Sequence, residues 1–232
     1  MKNNIKLSLI IPCFNEADNL PYLFKKLDKL LKNKKYEIIL VNNGSEDNTL
    51  SIIKEYKKKY RNLNFVSLRI NKGYGNGIIR GLKEAKGEFL GWTHADMQTD
   101  PNDIINAEKF FLNNKTKIFI KGKRYGRSLI DNFFTLGMST FASLKLKTLL
   151  WDINAQPTLF HKSFMDISRN PPNDFLLDLY FYYQAKKLNY KIYRFPVKFN
   201  KRLFGISHWN FNFLSKVRFI IRTYKYIIKL SK

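Results

Sequence analysis

The sequence predicts an α/β fold: a doubly wound, mostly parallel sheet flanked by helices. Through residue 121, short apolar runs alternate with longer segments of helical spacing. Polar clusters at 14–16, 42–47 and 94–100 follow three of those runs, where open sheets of this class bind ligands. Glycines at 73, 75 and 77 open one of the helical segments.

Residues 7–12 read as a buried strand ending at Pro12. Helical spacing follows over 17–32, through Leu20, Leu23, Phe24, Leu27, Leu30 and Leu31. A second strand is expected at 36–41, closed by Asn42-Asn43-Gly44-Ser45, then a Lys-rich helix at 49–60 and a third strand at 64–68. A glycine-opened helix takes 73–85, and a fourth strand 88–93. Another helix begins near Pro101 and ends around 113, before a fifth strand at 118–121. Beyond residue 125 the pattern changes. Helices are expected at 130–150 and 176–188, strands at 158–161 and 191–197, and a basic amphipathic helix at 211–230. The division is one domain over 1–210 with a C-terminal helical appendage over 211–232.

The 232 residues carry 42 Lys+Arg against 18 Asp+Glu, a net charge of +24, with 44% hydrophobic residues. That hydrophobic content excludes disorder for most of the chain. One cysteine, Cys13, excludes an internal disulfide and points to a reducing compartment. The charge has three readings: nucleic acid, an anionic membrane, or compositional bias. Nucleic acid fits least, because the motifs gather at strand ends while the lysines spread over many helices. The run 7–11 is too short for a signal-peptide core, and Lys145 and Lys147 break the apolar stretch 133–151. The expectation is a cytoplasmic protein, peripheral on the inner face of the cytoplasmic membrane.

The segment His94-Ala95-Asp96-Met97-Gln98 lies at the mouth of the expected sheet. Alternate residues of an extended segment share a face, so His94, Asp96 and Gln98 can converge. A carboxylate with an amide oxygen suits a hard divalent cation bridging a diphosphate. The alternative is an ordinary strand-to-helix turn capped by Asp100. The stretch from Asn71 through Gly73 to Gly77 is neither a P-loop nor a dinucleotide fingerprint. It suits close backbone approach to a ligand or a plain helix start.

Four motifs stand in order: Ile10-Ile11-Pro12-Cys13-Phe14-Asn15-Glu16; Val41-Asn42-Asn43-Gly44-Ser45 with Asp47; Asn71 with Gly73, Gly75, Asn76 and Gly77; and Ala95-Asp96-Met97-Gln98. The set resembles the family-2 glycosyltransferases with a GT-A fold, a Rossmann-like mixed sheet. Within them it is most similar to the dolichyl- and polyprenyl-phosphate sugar transferases. The resemblance implies a nucleoside-diphosphate-sugar donor, a Mg²⁺ or Mn²⁺ cofactor, inversion at the sugar, and a polyprenyl-phosphate or surface-glycan acceptor. Pro12, Phe14 and Glu16 would line base and ribose, with Asn15, Ser45, Asn71, Gly73 and Ala95 contributing from the same motifs. Asn43 falls where the family's base-reading aspartate stands. Asp96 and Gln98 fall on metal ligands, and His94 replaces the first aspartate of the family's D-x-D motif. Arg124, beside Lys123, matches an arginine that meets acceptor phosphate. Asp178, with Asp174 nearby, matches an acidic residue linked to acceptor activation. Arg202, with Gly205 and Ser207, matches a loop closing over the diphosphate.

Asn43 leaves the base open, since an amide both donates and accepts and could serve uracil, guanine or cytosine. His94 and Asn43 also motivate the alternative of a catalytically weak or silent, membrane-peripheral scaffold. His161 and His208 read as structural, and Trp209 either stacks on a sugar or packs under the last helix. The consecutive aromatics 180–183 read as core plus interface. In the last helix, Phe213 to Leu230 interleaves apolar residues with Lys216, Arg218, Arg222, Lys225 and Lys229, the pattern of a helix lying on anionic lipid, with packing on the domain as the alternative.

Overall fold

The computed structural model describes residues 5–111, 116–205 and 213–231, so Ser207, His208 and Trp209 lie outside the described residues. Its strands are β1 (Leu7–Cys13), β2 (Tyr36–Asn43), β3 (Leu63–Leu68), β4 (Phe89–Trp92), β5 (Ile118–Tyr125), β6 (Thr158–His161) and β7 (Lys191–Lys198). Its helices are α1 (Leu20–Leu31), α2 (Thr49–Lys59), α3 (Tyr74–Glu84), α4 (Asp103–Phe111), α5 (Leu129–Lys145), α6 (Phe164–Ile167), α7 (Leu177–Lys187) and α8 (Phe213–Ser231).

The seven strands form one sheet in the order β3-β2-β1-β4-β6-β5-β7. β1 pairs in parallel with β2 and β4, and β5 with β7. β6 runs antiparallel to both β4 and β5, which makes the sheet mixed. β1 and β2 are buried on both faces because helices cover both. On one side Leu7, Leu9 and Ile11 meet α1, α2 and α4; on the other Ile10, Trp92 and Phe160 meet α3 and α7. Tyr180, Phe181 and Tyr182 are buried in that second layer. Burying ~2 kcal/mol per large apolar side chain, these two layers are what hold the strand ends in place.

Three elements differ from the sequence reading. β5 continues to Tyr125 rather than stopping at 121, because β7 pairs with it from Ile118↔Lys191 through Tyr125↔Lys198. α5 ends at Lys145 rather than 150, and Lys147 turns the chain with φ 50. The short α6 had no periodicity to announce it. α8 packs on α5 through stacked Phe141 and Tyr224 rings 4.4 Å apart, and Ile227 is buried. Among the described residues no helix is long and apolar enough to cross a membrane.

Candidate active site

A cavity of about 1280 Å³ opens at the carboxyl ends of β1, β2 and β4 and continues between α5 and α8. One end is polar, lined by Pro12, Phe14, Asn15, Glu16, Asn43, Asn71, Gly73, His94, Ala95, Asp96 and Gln98. The other is walled by Phe134, Met138 and Phe141 of α5 and by Phe219, Tyr224 and Ile227 of α8.

The polar end is fixed by hydrogen bonds between neighbouring strand-end loops. Asn15, held at φ 54, donates its backbone N–H to Ser45 Oγ, and its side chain accepts from Glu46 N. Glu16 N donates to Thr49 Oγ1 at 2.9 Å, and Ala17 N to Asp47 Oδ2 at 3.1 Å. Ser45 thus supports the wall and is not part of the lining. Asn43 donates from Nδ2 to Asn71 Oδ1 and to the Gly73 carbonyl, both at 3.1 Å. A carbonyl cannot donate, so the amide orientation is set, and Asn43 Oδ1 is left buried with no partner among the described residues. The close approach at Gly73 (φ 109) is to protein: a Cβ there would lie 2.4 Å from Asn173 O. The glycines therefore seat α3 against the 172–174 loop as well as bordering the cavity.

Asp96 sits in the turn after β4, where Met97 takes φ 60. Its Oδ1 accepts from Gln98 N at 3.1 Å, and its Oδ2 lies 3.6 Å from Arg202. Gln98 Nε2 donates to Asn200 O at 3.4 Å, leaving the amide oxygen as its remaining acceptor. His94 stacks on Tyr74 with ring centroids 5.3 Å apart. Among the described residues no three His, Cys, Asp or Glu side chains cluster to hold an ion alone. One buried carboxylate, one amide oxygen and an imidazole suit an ion whose other ligands come from a diphosphate.

Arg202 also donates to Glu16 Oε1 at 2.8 Å. Burial pushes the Glu16 carboxyl up to about 7, with Arg202 opposing and Asp96 reinforcing the shift. Tyr22 and Phe204 rings meet at 5.5 Å, and Asn19 Nδ2 donates to Phe204 O. The segment carrying Arg202 is thus strapped across the polar end, with Gly205 in the lining.

Between the two ends Arg124 is gripped by Asp152, which accepts from its backbone N at 2.9 Å, from Nε at 2.8 Å and from Nη2. Although burial raises the Asp152 carboxyl, Arg124 and then Arg194 hold it below the usual range. The Arg124 and Arg127 guanidinium carbons lie 5.3 and 5.4 Å from the Phe199 ring centre. Asp178 is buried yet reaches the cavity, accepting from Gln156 Nε2 at 2.7 Å. Lys121 Nζ lies 3.5 Å behind it and donates to Thr158 Oγ1 at 2.8 Å. Burial pulls the Lys121 amine down to about 8. Asp174 is elsewhere: it pairs with Arg222 of α8 at 3.3 Å and does not line the cavity, nor does the exposed Lys123.

Sequence reasoning missed Lys121, Asp152, Gln156 and Arg127. Gln156-Pro157 signalled a loop, but nothing local ties Asp152 to Arg124 or Lys121 to Asp178 across 28 and 57 residues.

Comparison with known proteins agrees with this architecture. Glucosyl-3-phosphoglycerate synthase from Mycobacterium tuberculosis, solved with Mn²⁺ and UDP, superposes with TM-score 0.74 at 14% identity, over 99% of this chain and 82% of that one. A mannosyltransferase from Pyrobaculum calidifontis, solved with GDP-Man and Mn²⁺, gives 0.69 at 18% identity, over 97% of this chain and 65% of that one. These likenesses show the GT-A fold. An uncharacterized glycosyltransferase of Synechocystis sp. is 52% identical over 44 residues, which span 18% of this chain and 14% of that protein. The family model described as "Glycosyl transferase family 2" matches residues 8–225, and the chain belongs to that family.

Proposed function

We propose that the protein is an inverting, metal-dependent glycosyltransferase that moves a sugar from a nucleoside-diphosphate donor to a polyprenyl phosphate. The observation that carries this reading is the shape of the cavity. A polar end with Asp96 and Arg202 runs into an apolar groove between α5 and α8, with Arg124 and Arg127 at the junction. A sugar acceptor would not use that groove, whereas a phosphate on an isoprenoid chain matches both parts of it. The relatives solved with UDP, GDP-Man and Mn²⁺ support the donor class and the metal.

Asn43 narrows the base. Its two amide hydrogens are committed, so it offers only an acceptor. Uracil and guanine carry a ring N–H that would satisfy it; cytosine has an acceptor at that ring position and could satisfy it only through its exocyclic amine.

In transfer, an acceptor phosphate oxygen attacks the anomeric carbon. The bond from that carbon to the donor's diphosphate oxygen breaks, and its electron pair leaves with the nucleoside diphosphate. Asp96 and Gln98 would hold the divalent cation, which when bound offsets charge on the diphosphate. Arg202 offers a second positive group there, already within reach of Asp96. Arg124, held rigid by Asp152, would position the acceptor phosphate. A phosphate needs no base to remove a proton, so Asp178 would orient the sugar or acceptor; with a hydroxyl acceptor it would be the base. Attack opposite the leaving group inverts the anomeric centre.

The test is transfer from UDP-, GDP- and CDP-sugars, with Mn²⁺ or Mg²⁺, to a short polyprenyl phosphate, 3-phosphoglycerate and oligosaccharides in parallel. Transfer to the polyprenyl phosphate from a UDP- or GDP-sugar is expected. Transfer only to a glycan or to phosphoglycerate overturns the acceptor, and turnover with none of them leaves the catalytically silent scaffold.

A further inference from the structure

Helix α5 is built the wrong way round for a helix bordering water. The side it turns inward carries Thr135, Ser139 and Ala142, all buried. The side it turns outward carries Leu129 (87% exposed), Phe133 (73%) and Leu144 (73%), with Ile130 and Leu136 between them. These positions repeat at helical spacing, so they form one row along the helix. From residue 132 to 144 there is no charged side chain. Leu149 (75% exposed) and Trp151 extend the row past the helix end. Monomeric proteins rarely leave so much contiguous apolar surface in water.

The surroundings of this row are basic. Lys145 and Lys147 stand exposed at its end. Alongside, α8 presents Arg218, Lys225 and Lys229, all exposed, and Arg222, which is paired with Asp174; the helix itself contains no carboxylate. Ile130 and Phe133 belong both to the exposed row and to the wall of the cavity, so the acceptor end of the cavity opens on this face.

We propose that α5 is the face by which the protein lies on an anionic bilayer, its apolar row at the acyl boundary and the flanking cations on lipid phosphates. A second copy is the poorer occupant, because it would bring +24 against +24. A bilayer of anionic lipid supplies both the apolar partner and the opposite charge. This moves the membrane contact from where the sequence placed it. α8 alone was the expected contact, but Ile227 is buried and Tyr224 stacks on Phe141, so α8 adds cations and the half-exposed Ile220 and Ile221 to a surface that α5 dominates. The proposal deepens the lipid-linked acceptor reading, on which it rests only for the direction in which the cavity opens.

The experiment is flotation of the full chain with vesicles of phosphatidylcholine alone or with phosphatidylglycerol, containing no polyprenyl phosphate. Wild type is expected to float with the anionic vesicles, less so at high salt. Leu129→Ser/Leu136→Ser/Leu144→Ser, three residues outside the large cavity, is expected to weaken flotation about tenfold or more, with an unchanged thermal melt. In a Trp209→Phe background, brominated lipid is expected to quench Trp151, since Trp92 is wholly buried. Wild-type flotation by the triple variant overturns the proposal. So does a stable dimer, seen by light scattering, that the same substitutions dissociate. Vesicle binding without transfer to polyprenyl phosphate sinks the acceptor reading alone, and transfer without vesicle binding sinks only this one.

Discussion

Asp152→Asn tests whether Arg124 is held for use. Asp152 is almost wholly buried, and one carboxylate accepts three hydrogen bonds from Arg124 while lying 3.7 Å from Arg194. Asparagine keeps the shape and tolerates the left-handed backbone at this position, where φ is 46, so strain is not confounded with charge. Removing one partner of a buried ion pair costs about 3–5 kcal/mol, because the other charge is stranded. The lower end, about 3 kcal/mol, applies here, since the asparagine oxygen still accepts one N–H from Arg124. The loss is a roughly hundredfold change in the folding equilibrium, read as a lower urea midpoint with an unchanged slope. The Asp152 carboxyl is held below its ordinary 3.8. Its contribution is therefore fully present above 3.8 and lost only as pH falls through the lower folded value, so the difference between variant and wild type stays flat from about pH 5 to 8. In transfer assays the KM for acceptor is expected to rise about tenfold while the KM for donor stays put. A stability loss below about 1 kcal/mol together with an unchanged acceptor KM would refute the reasoning.

Arg202→Ala removes the charge strapped to Glu16 and Asp96 and is expected to lower kcat by about 10²–10³, whereas loss confined to donor KM would deny it a transition-state role. Asp96→Ala is expected to abolish the Mn²⁺-dependent part of the thermal shift given by a nucleoside diphosphate; a retained shift would remove it from the metal site. UDP and GDP are expected to raise the melting temperature more than CDP, and Asn43→Leu to erase that preference, a result checked by the same thermal-shift series. Because burial holds the Lys121 amine at about 8, below its ordinary 10.5, the unfolded chain binds the extra proton between those values. Stability should rise with pH across that window, and urea midpoints for Lys121→Met should not.

The strands and most helices could be read from the sequence because their patterns are local: Leu7, Leu9 and Ile11 alternate with Ile10 toward two helical layers. The second half of β5 could not, since Gly122, Lys123 and Arg124 look like a loop until β7 pairs with them. The direction of β6 was equally hidden, because a four-residue apolar run reads the same both ways. At the site, residues inside contiguous motifs were legible: Glu16, Asn43, Asp96 and Gln98 all line one cavity. Asp174 and Asp178 looked alike in sequence, yet Asp174 pairs with Arg222 outward while Asp178 turns in against Gln156. Asp174 lies in the loop before α7 and Asp178 in its first turn, and nearness in sequence alone does not say which of them meets a cavity.

Strand β6 is also a seam. Everything proposed to read the nucleotide hangs from β1 to β4 and the loops after them, all encoded before residue 100, while Arg124, Asp152, Gln156 and Asp178 come after it. The one reversed strand joins these halves within the sheet. A single crossover in the gene near that point would graft a new acceptor half onto an unchanged nucleotide reader. The graft would bring its own strap, since Arg202 arises in the second half and reaches back to Glu16. Compatibility between a foreign arginine and the resident Glu16 and Asp96 would then decide which chimeras work.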